Sequence, residues 1–313
     1  MSRESNFLSF GSGGDRFGFL LTDSEDPYPL TTRVPAGKQP FGISQMGRML
    51  SRGFWVSIWL LRAALEFLLF IGTDAGRSEA GRRAWQKRTA QGLLRSMEVE
   101  VKMEGVPPTT GLLVSNHLSY LDILVLASVA PCIFVSKQEV RGWPVFGWLA
   151  RCAGTIFVNR QSRSDVARVS QEITQTLHCG AVVTLFPEGT SSNGSSVLPF
   201  RSSLLEPILQ QNQPVTPAAL DYSLAAGSVE EEVCYWGDMT LGPHLLNLLT
   251  KEGIQATIRF GRPELRFATD RKQLARELHE KVCLLRANSL GSGIVPNRLA
   301  QSPLQRPSTL IKS

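Results

Sequence analysis

From residue 99 onward the chain alternates short apolar runs with stretches of helical character. The runs stand at 111–115, 132–136, 154–159, 181–186, 214–220 and 256–260. Runs of this length, bounded by turn residues, read as buried strands. Strand and helix in strict alternation predict an α/β fold, a largely parallel twisted sheet flanked by helices. Two of the intervening segments carry a clear helical stripe. Residues 162–178 place Val166, Val169 and Ile173 on one face and stop at Gly180. Asp270 and Gln273 make a capping-box start for 271–287, whose stripe is Leu274, Leu278, Val282 and Leu285.

Four of these runs end in polar residues that a core strand does not need. Leu112–Val114 leads to Asn116 and His117, Cys132–Val135 to Lys137, Gly154–Val158 to Arg160, and Val182–Phe186 to Pro187-Glu188-Gly189-Thr190. In open parallel sheets ligands bind at the carboxyl ends of the strands. If these four strands are neighbours, a base, two cations and an acid converge on one site. After the first run, Ser119 and Asp122 have the spacing of a helix start. His117 then lies in the turn between strand and helix, and Asp122 in the first helical turn can reach back to its imidazole. The plainer alternative makes Asp122 only the capping partner of Ser119, His117 a satisfied turn residue, and each cation a solvated surface charge.

Composition narrows the field. Hydrophobic content of 42% is that of an ordinary globular protein, and a net charge of +6 is too modest to draw nucleic acid by itself. The five cysteines contain no C-x-x-C, which argues against a disulfide scaffold or zinc site and fits a reducing compartment. Residues 1–45 read as a disordered leader without a secretory signal, and the Gly-Ser-Gly-Gly at 11–14 lacks the context of a phosphate loop. Residues 54–71 are the most apolar stretch, interrupted by Arg62 and Glu66. Those two charges cost about 3 kcal/mol each at a bilayer centre and cancel the apolar gain of about 5 kcal/mol. Basic residues flank both sides: Arg48 and Arg52 before, then Arg77, Arg82, Arg83, Lys87, Arg88 and Arg95. We expect membrane-associated helices over 46–98, lying in the cytoplasmic leaflet with the basic helix against anionic headgroups. A single span and a buried core helix with an internal Arg62–Glu66 pair are the alternatives. The expected domain runs over 99–289, followed by a flexible tail at 290–313.

Asn-His-Leu-Ser-Tyr-Leu-Asp at 116–122 resembles the N-H-x4-D block of the glycerolipid acyltransferases, the 1-acylglycerol-3-phosphate acyltransferase group. Gly-Thr-Ile-Phe-Val-Asn-Arg at 154–160 is similar to that family's second block, Phe-Pro-Glu-Gly-Thr at 186–190 to its third, and Val215-Thr216-Pro217 to its fourth. The resemblance covers roughly residues 50–225 and implies a glycerol-3-phosphate acyltransferase-like fold. It also implies transfer of a fatty acyl group from acyl-CoA or acyl carrier protein, as co-substrate, to a lysophospholipid hydroxyl. No cofactor and no metal are expected. His117 would be the general base and Asp122 would hold its tautomer. Lys137, Arg160, Glu188, Gly189 and Thr190 would bind the acceptor, with the two cations suited to a phosphate and Glu188 orienting one of them or accepting from the acceptor hydroxyl. Asn116 and Pro217 would serve the donor side or the backbone. The oxyanion donors are expected among the N–H groups after His117 or near Pro217.

These implications place the protein at the cytoplasmic face of the inner membrane, with 1-acylglycerol-3-phosphate as the expected acceptor. One departure counts against that acceptor. Many family members follow the third block with Arg, where this chain has Ser191. A lyso-ornithine lipid, or a lysophospholipid with a larger head group, is therefore a rival. A hydrolase is disfavoured because no G-x-S-x-G is present. An inactive lipid-binding relative is the remaining alternative. Residues 234–249 read either as a lining of the acyl or acceptor side or as a loop and packing helix with His244 at its start.

Overall fold

The run at 111–115 is continuously apolar because the strand it forms is covered on both faces. This strand, β2 (Gly111–Ser115), is buried at every position and lies between β5 (Val182–Leu185) and β6 (Pro214–Ser223), parallel to both. A computed structural model describes residues 42–70, 73, 78–159, 161–205, 209, 213–265 and 270–290. The leader, apart from its last few residues, Arg77, Arg160 and the tail beyond residue 290 lie outside them. Beyond β5 come β3 (Cys132–Lys137) and then β4 (Ile156–Val158), again parallel. Strands β2, β5, β3 and β4 therefore end at one rim, as the sequence pattern predicts.

The other half of the sheet departs from a purely parallel plan. Strand β6 pairs antiparallel with β7 (Ile254–Phe260), which pairs parallel with β1 (Val99–Glu104). The two-residue strand β8 (Glu264–Leu265) pairs with the start of β6. Pro217 falls where the outer partner of β6 changes from β8 to β7. Its carbonyl accepts Gly261 N at 2.8 Å, so its own nitrogen faces the same gap and the missing N–H costs no ladder bond. The proline thus sits inside β6, not at a strand end.

Successive side chains of β2 feed two layers. Leu113 packs on one face with α2 (Glu79–Ser96), α3 (Leu121–Val129) and α7 (Leu241–Leu248); Leu112 and Val114 pack on the other with α5 (Arg163–His178) and α8 (Arg271–Leu290). The expected stripes are the buried ones: Val169 and Ile173 on α5, Leu274, Leu278 and Val282 on α8. Helices α4 (Phe146–Cys152) and α6 (Val229–Glu232) are short connectors. The free edge of β4 is plugged by α5, since Arg168 Nη2 donates to Phe157 O at 2.9 Å and Asp165 Oδ2 accepts Asn159 N at 2.6 Å.

Helix α1 (Ile43–Phe70) is long and apolar enough to cross a membrane, by length and composition. It begins well before Phe54. Among its residues only Arg52 and Ala63 are buried, which rules out a core helix. Glu66 pairs with Arg88 of α2, not with Arg62, whose guanidinium lies 4.8 Å from the Trp59 ring centre. Trp85 Nε1 donates to Ala63 O at 3.0 Å, and Gly92 lets Trp59 close on α2, because a Cβ there would fall 2.2 Å from the indole. At its other end α1 is stitched to the sheet. Arg52 donates to Leu249 O at 3.1 Å and to Lys251 O and meets Glu98 at 2.5 Å, while Arg48 Nε donates to Thr250 O at 3.1 Å. Arg83 also turns inward, to Cys132 O at 2.6 Å and Gln86 Oε1 at 2.9 Å. Burial lowers its pKa, and it does not belong to the outward basic face of α2.

Candidate active site

The turn after β2 is built by side chains that stand in for backbone. Asn116 Nδ2 donates to Leu220 O at 2.9 Å and its Oδ1 accepts Leu220 N at 2.8 Å, so the amide acts as one more strand residue and locks the end of β2 to β6. The chain then turns into α3, where Asp122 is 0% exposed. Its Oδ2 accepts from His117 Nδ1 at 2.7 Å, Leu118 N at 2.6 Å and Ser119 N at 3.0 Å. Its Oδ1 accepts from the Tyr222 hydroxyl at 2.6 Å. Four donors satisfy a carboxylate that water does not reach. Asp122 makes one half of the capping box and orients His117 at the same time. The other half is not made, for the Ser119 hydroxyl has no partner among the described residues.

The His117 side chain is 19% exposed and stacks on Phe186, ring centres 4.2 Å apart at 17°. A carboxylate can only accept, so Nδ1 carries the proton and Nε2 is left as the acceptor nitrogen. That nitrogen can take a proton from a hydroxyl at the rim. Glu188 closes over the same turn, 2% exposed, its Oε1 accepting His117 N at 2.7 Å and its Oε2 accepting Leu198 N at 3.0 Å. Burial outweighs these bonds and pushes its carboxyl up to about 8. Gly189 takes φ +79°, which lets the loop double back, and Ser192 N donates to His117 O at 2.9 Å. Thr190 is half-buried beside it. Glu188 thus anchors two backbone amides of the turn. Lys137 ends β3 half-buried on the same rim, two strand spacings or about 10 Å from β2. Arg160 lies outside the described residues. The amides of Leu118 and Ser119, expected among the oxyanion donors, are committed to the Asp122 carboxylate instead, and that of His117 to Glu188.

Two functional neighbours escaped the sequence reading. Tyr222 is one, and the only signal for it is that a fully buried acid needs a donor on each oxygen. Arg286 of α8 is the other. Its Nε donates to Asp221 Oδ1 at 2.7 Å and its Nη2 to Gly194 O, tying β6 to the loop that carries Glu188. In the 234–249 stretch His244 is a packing residue inside α7, between the Tyr120 hydroxyl at 3.1 Å and Cys234 O at 3.0 Å. Thr155, Phe157 and Asn159 line a groove of about 900 Å³ along the outer edge of β4, with Arg141, Arg151 and Arg168.

Residues 98–221 match the family model described as Acyltransferase. A lyso-ornithine lipid O-acyltransferase of Brucella abortus (strain 2308) is 39% identical over 197 residues, 58% of this chain and 74% of the relative. The chain belongs to the glycerolipid acyltransferase family. This O-acyltransferase is also 33% identical over 171 residues to the 1-acyl-sn-glycerol-3-phosphate acyltransferase of Neisseria meningitidis serogroup B, covering 53% of this chain and 65% of that one. The crystal structure of the 1-acyl-sn-glycerophosphate acyltransferase PlsC from Thermotoga maritima superposes with a TM-score of 0.61 at 16% identity, over 79% of this acyltransferase and 97% of that chain. That likeness establishes the fold.

Proposed function

We propose that this acyltransferase moves a fatty acyl group from a thioester donor, acyl-CoA or acyl carrier protein, to the free hydroxyl of a lyso-ornithine lipid, with His117 as general base. The observation that carries the reading is a part-exposed imidazole backed by a carboxylate that is buried and fully satisfied. In the reaction His117 Nε2 takes the hydroxyl proton as the oxygen attacks the thioester carbonyl. The tetrahedral intermediate expels the thiolate, and the imidazolium returns the proton to sulfur. Asp122 stabilises that imidazolium. A thioester is already activated, so no covalent enzyme intermediate is needed.

The choice of acceptor rests on the third block. Where many relatives have Arg, the Ser191 hydroxyl donates to Tyr235 O, and two residues on Asn193 Nδ2 donates to Glu230 Oε1 at 3.1 Å. A carboxylate at this place disfavours a phosphate and tolerates an ammonium. The Brucella relative, named for lyso-ornithine lipid, supports the same choice. A second reading, 1-acylglycerol-3-phosphate, is favoured by Lys137 on the His117 rim and by the Neisseria relative. We further place α1 in lipid, at the cytoplasmic face of the inner membrane.

The test is an acceptor panel with purified protein and acyl thioester, scored by mass spectrometry of the lipid product. Ornithine lipid should form faster than phosphatidic acid, and the reverse order would give the assignment to the second reading. His117→Ala should lose about 10²-fold or more in kcat, the usual span of general-base help, with vesicle binding unchanged. Undiminished transfer would retire His117 as the base.

A further inference from the structure

We propose that Tyr222 is a positioning residue for acyl transfer, its phenol holding the Asp122 carboxylate in the one orientation that fixes His117, so that the working unit is a relay of three side chains. The inference rests on reading His117 as the base. Oδ2 of Asp122 already takes three donors, and among the described residues Oδ1 takes one, the Tyr222 hydroxyl at 2.6 Å. Without that hydroxyl a buried oxygen loses its donor, and Oδ2, still held by the Leu118 and Ser119 amides, takes on more of the carboxylate charge beside the imidazole.

Tyr222 is itself held from two sides. Its backbone pairs with Ala256 of β7, and two residues earlier Leu220 is latched by Asn116, the residue next to His117. The contacts close a ring: Asn116 fixes β6, β6 carries Tyr222, Tyr222 fixes Asp122, and Asp122 fixes His117. A tyrosine in a strand needs no other reason to be hydroxylated when its ring is otherwise buried among Leu220, Ala256 and Val233 neighbours of the core. The ionisable groups that face the phenol besides Asp122 are Cys234 before α7 and Tyr120 at the start of α3; Glu188 from the loop after β5 faces Asp122, and Arg286 of α8 faces Glu188 and Cys234. Burial, with the facing Asp122 carboxylate, holds the phenol protonated and therefore a donor.

Donation from Tyr222 draws part of the Asp122 charge away from the imidazolium. Removing the hydroxyl returns that charge, favours the protonated imidazole, and moves the acid limb of activity to higher pH. The experiment is kcat/KM against pH for the full-length protein with an acyl thioester and its acceptor, comparing wild type with Tyr222→Phe. We expect about a tenfold loss at neutral pH, the size of a hydrogen bond to a charged group, and a limb displaced upward by about half a unit or more. In an Asp122→Asn background the same change should add no further loss, because Tyr222 acts through Asp122.

Placing 3-fluorotyrosine at position 222 keeps the ring, strengthens the donor and should move the limb the opposite way. This arm decides the question if Tyr222→Phe fails to fold. Unmoved limbs, or losses that add in the Asp122→Asn background, would overturn the proposal. His117→Ala separates the two levels. If it is inactive while Tyr222 variants behave as wild type, the base stands and Tyr222 falls. If it is active, the base itself falls.

Discussion

Glu188 is a carboxyl group that the fold prefers neutral. Burial raises it to about 8 from an ordinary 4.5, so its contribution to stability is fully present below the ordinary value and is lost as pH rises through about 8. Glu188→Gln cannot ionise, and its amide turns a donor toward either His117 N or Leu198 N. The variant should melt below wild type near pH 5.5, and the gap should narrow toward pH 9 as the wild type alone takes on a buried charge. Parallel pH slopes in thermal melts would remove this reading. At this scale His117 and Asp122 were legible because five positions at a helix start settle their geometry locally. Tyr222 was not, since its partner stands 100 positions away and only the strand order brings them together. Glu188 is named by its block, but the two amides it holds are not readable from the sequence. Residue type names an acid, and the direction of the loop decides whom it meets.

Helices α1 and α2 come closest to interlocking where Gly92 leaves a gap beneath Trp59. Gly92→Leu should destabilise the protein by about 1–3 kcal/mol through overpacking, with a shift in tryptophan emission as Trp59 is displaced. An unchanged melting temperature and spectrum would mean that the helices do not pack there. The sequence made the middle of α1 plain by its apolar run and hid its start, where Gly47, Arg48 and Arg52 break the pattern. Those arginines read as flanking charges. They reach inward instead, to carbonyls left over at the end of α7. Strand β1 was missed for a related reason: as the outer strand it alternates exposed Glu100, Lys102 and Met103 with few buried residues, and so shows no apolar run.

The fold as a whole was readable from the six apolar runs because runs this short, bounded by turn residues and alternating with longer helical stretches, suit strands better than helices. Its antiparallel half was not, since β6 and β7 have the same composition whichever way they run. On the outside, α1 exposes Leu50, Phe54, Trp55, Ile58, Leu61, Leu65, Leu68 and Leu69, and α2 exposes Arg82, Lys87, Arg88 and Arg95. Neutralising Arg82 and Lys87 should weaken binding to anionic vesicles by about 1 kcal/mol per charge in low salt. The loss should fade in high salt, and equal binding at low salt would deny the surface reading. Helix α1 is also fastened at both ends, by Arg48 and Arg52 to the sheet side and by Ala63 and Glu66 to α2. Set in lipid, it behaves as a keel and not as a tether. Any lean of such a keel, as bilayer thickness changes, would be handed to the domain it is fastened to and not lost in a flexible joint.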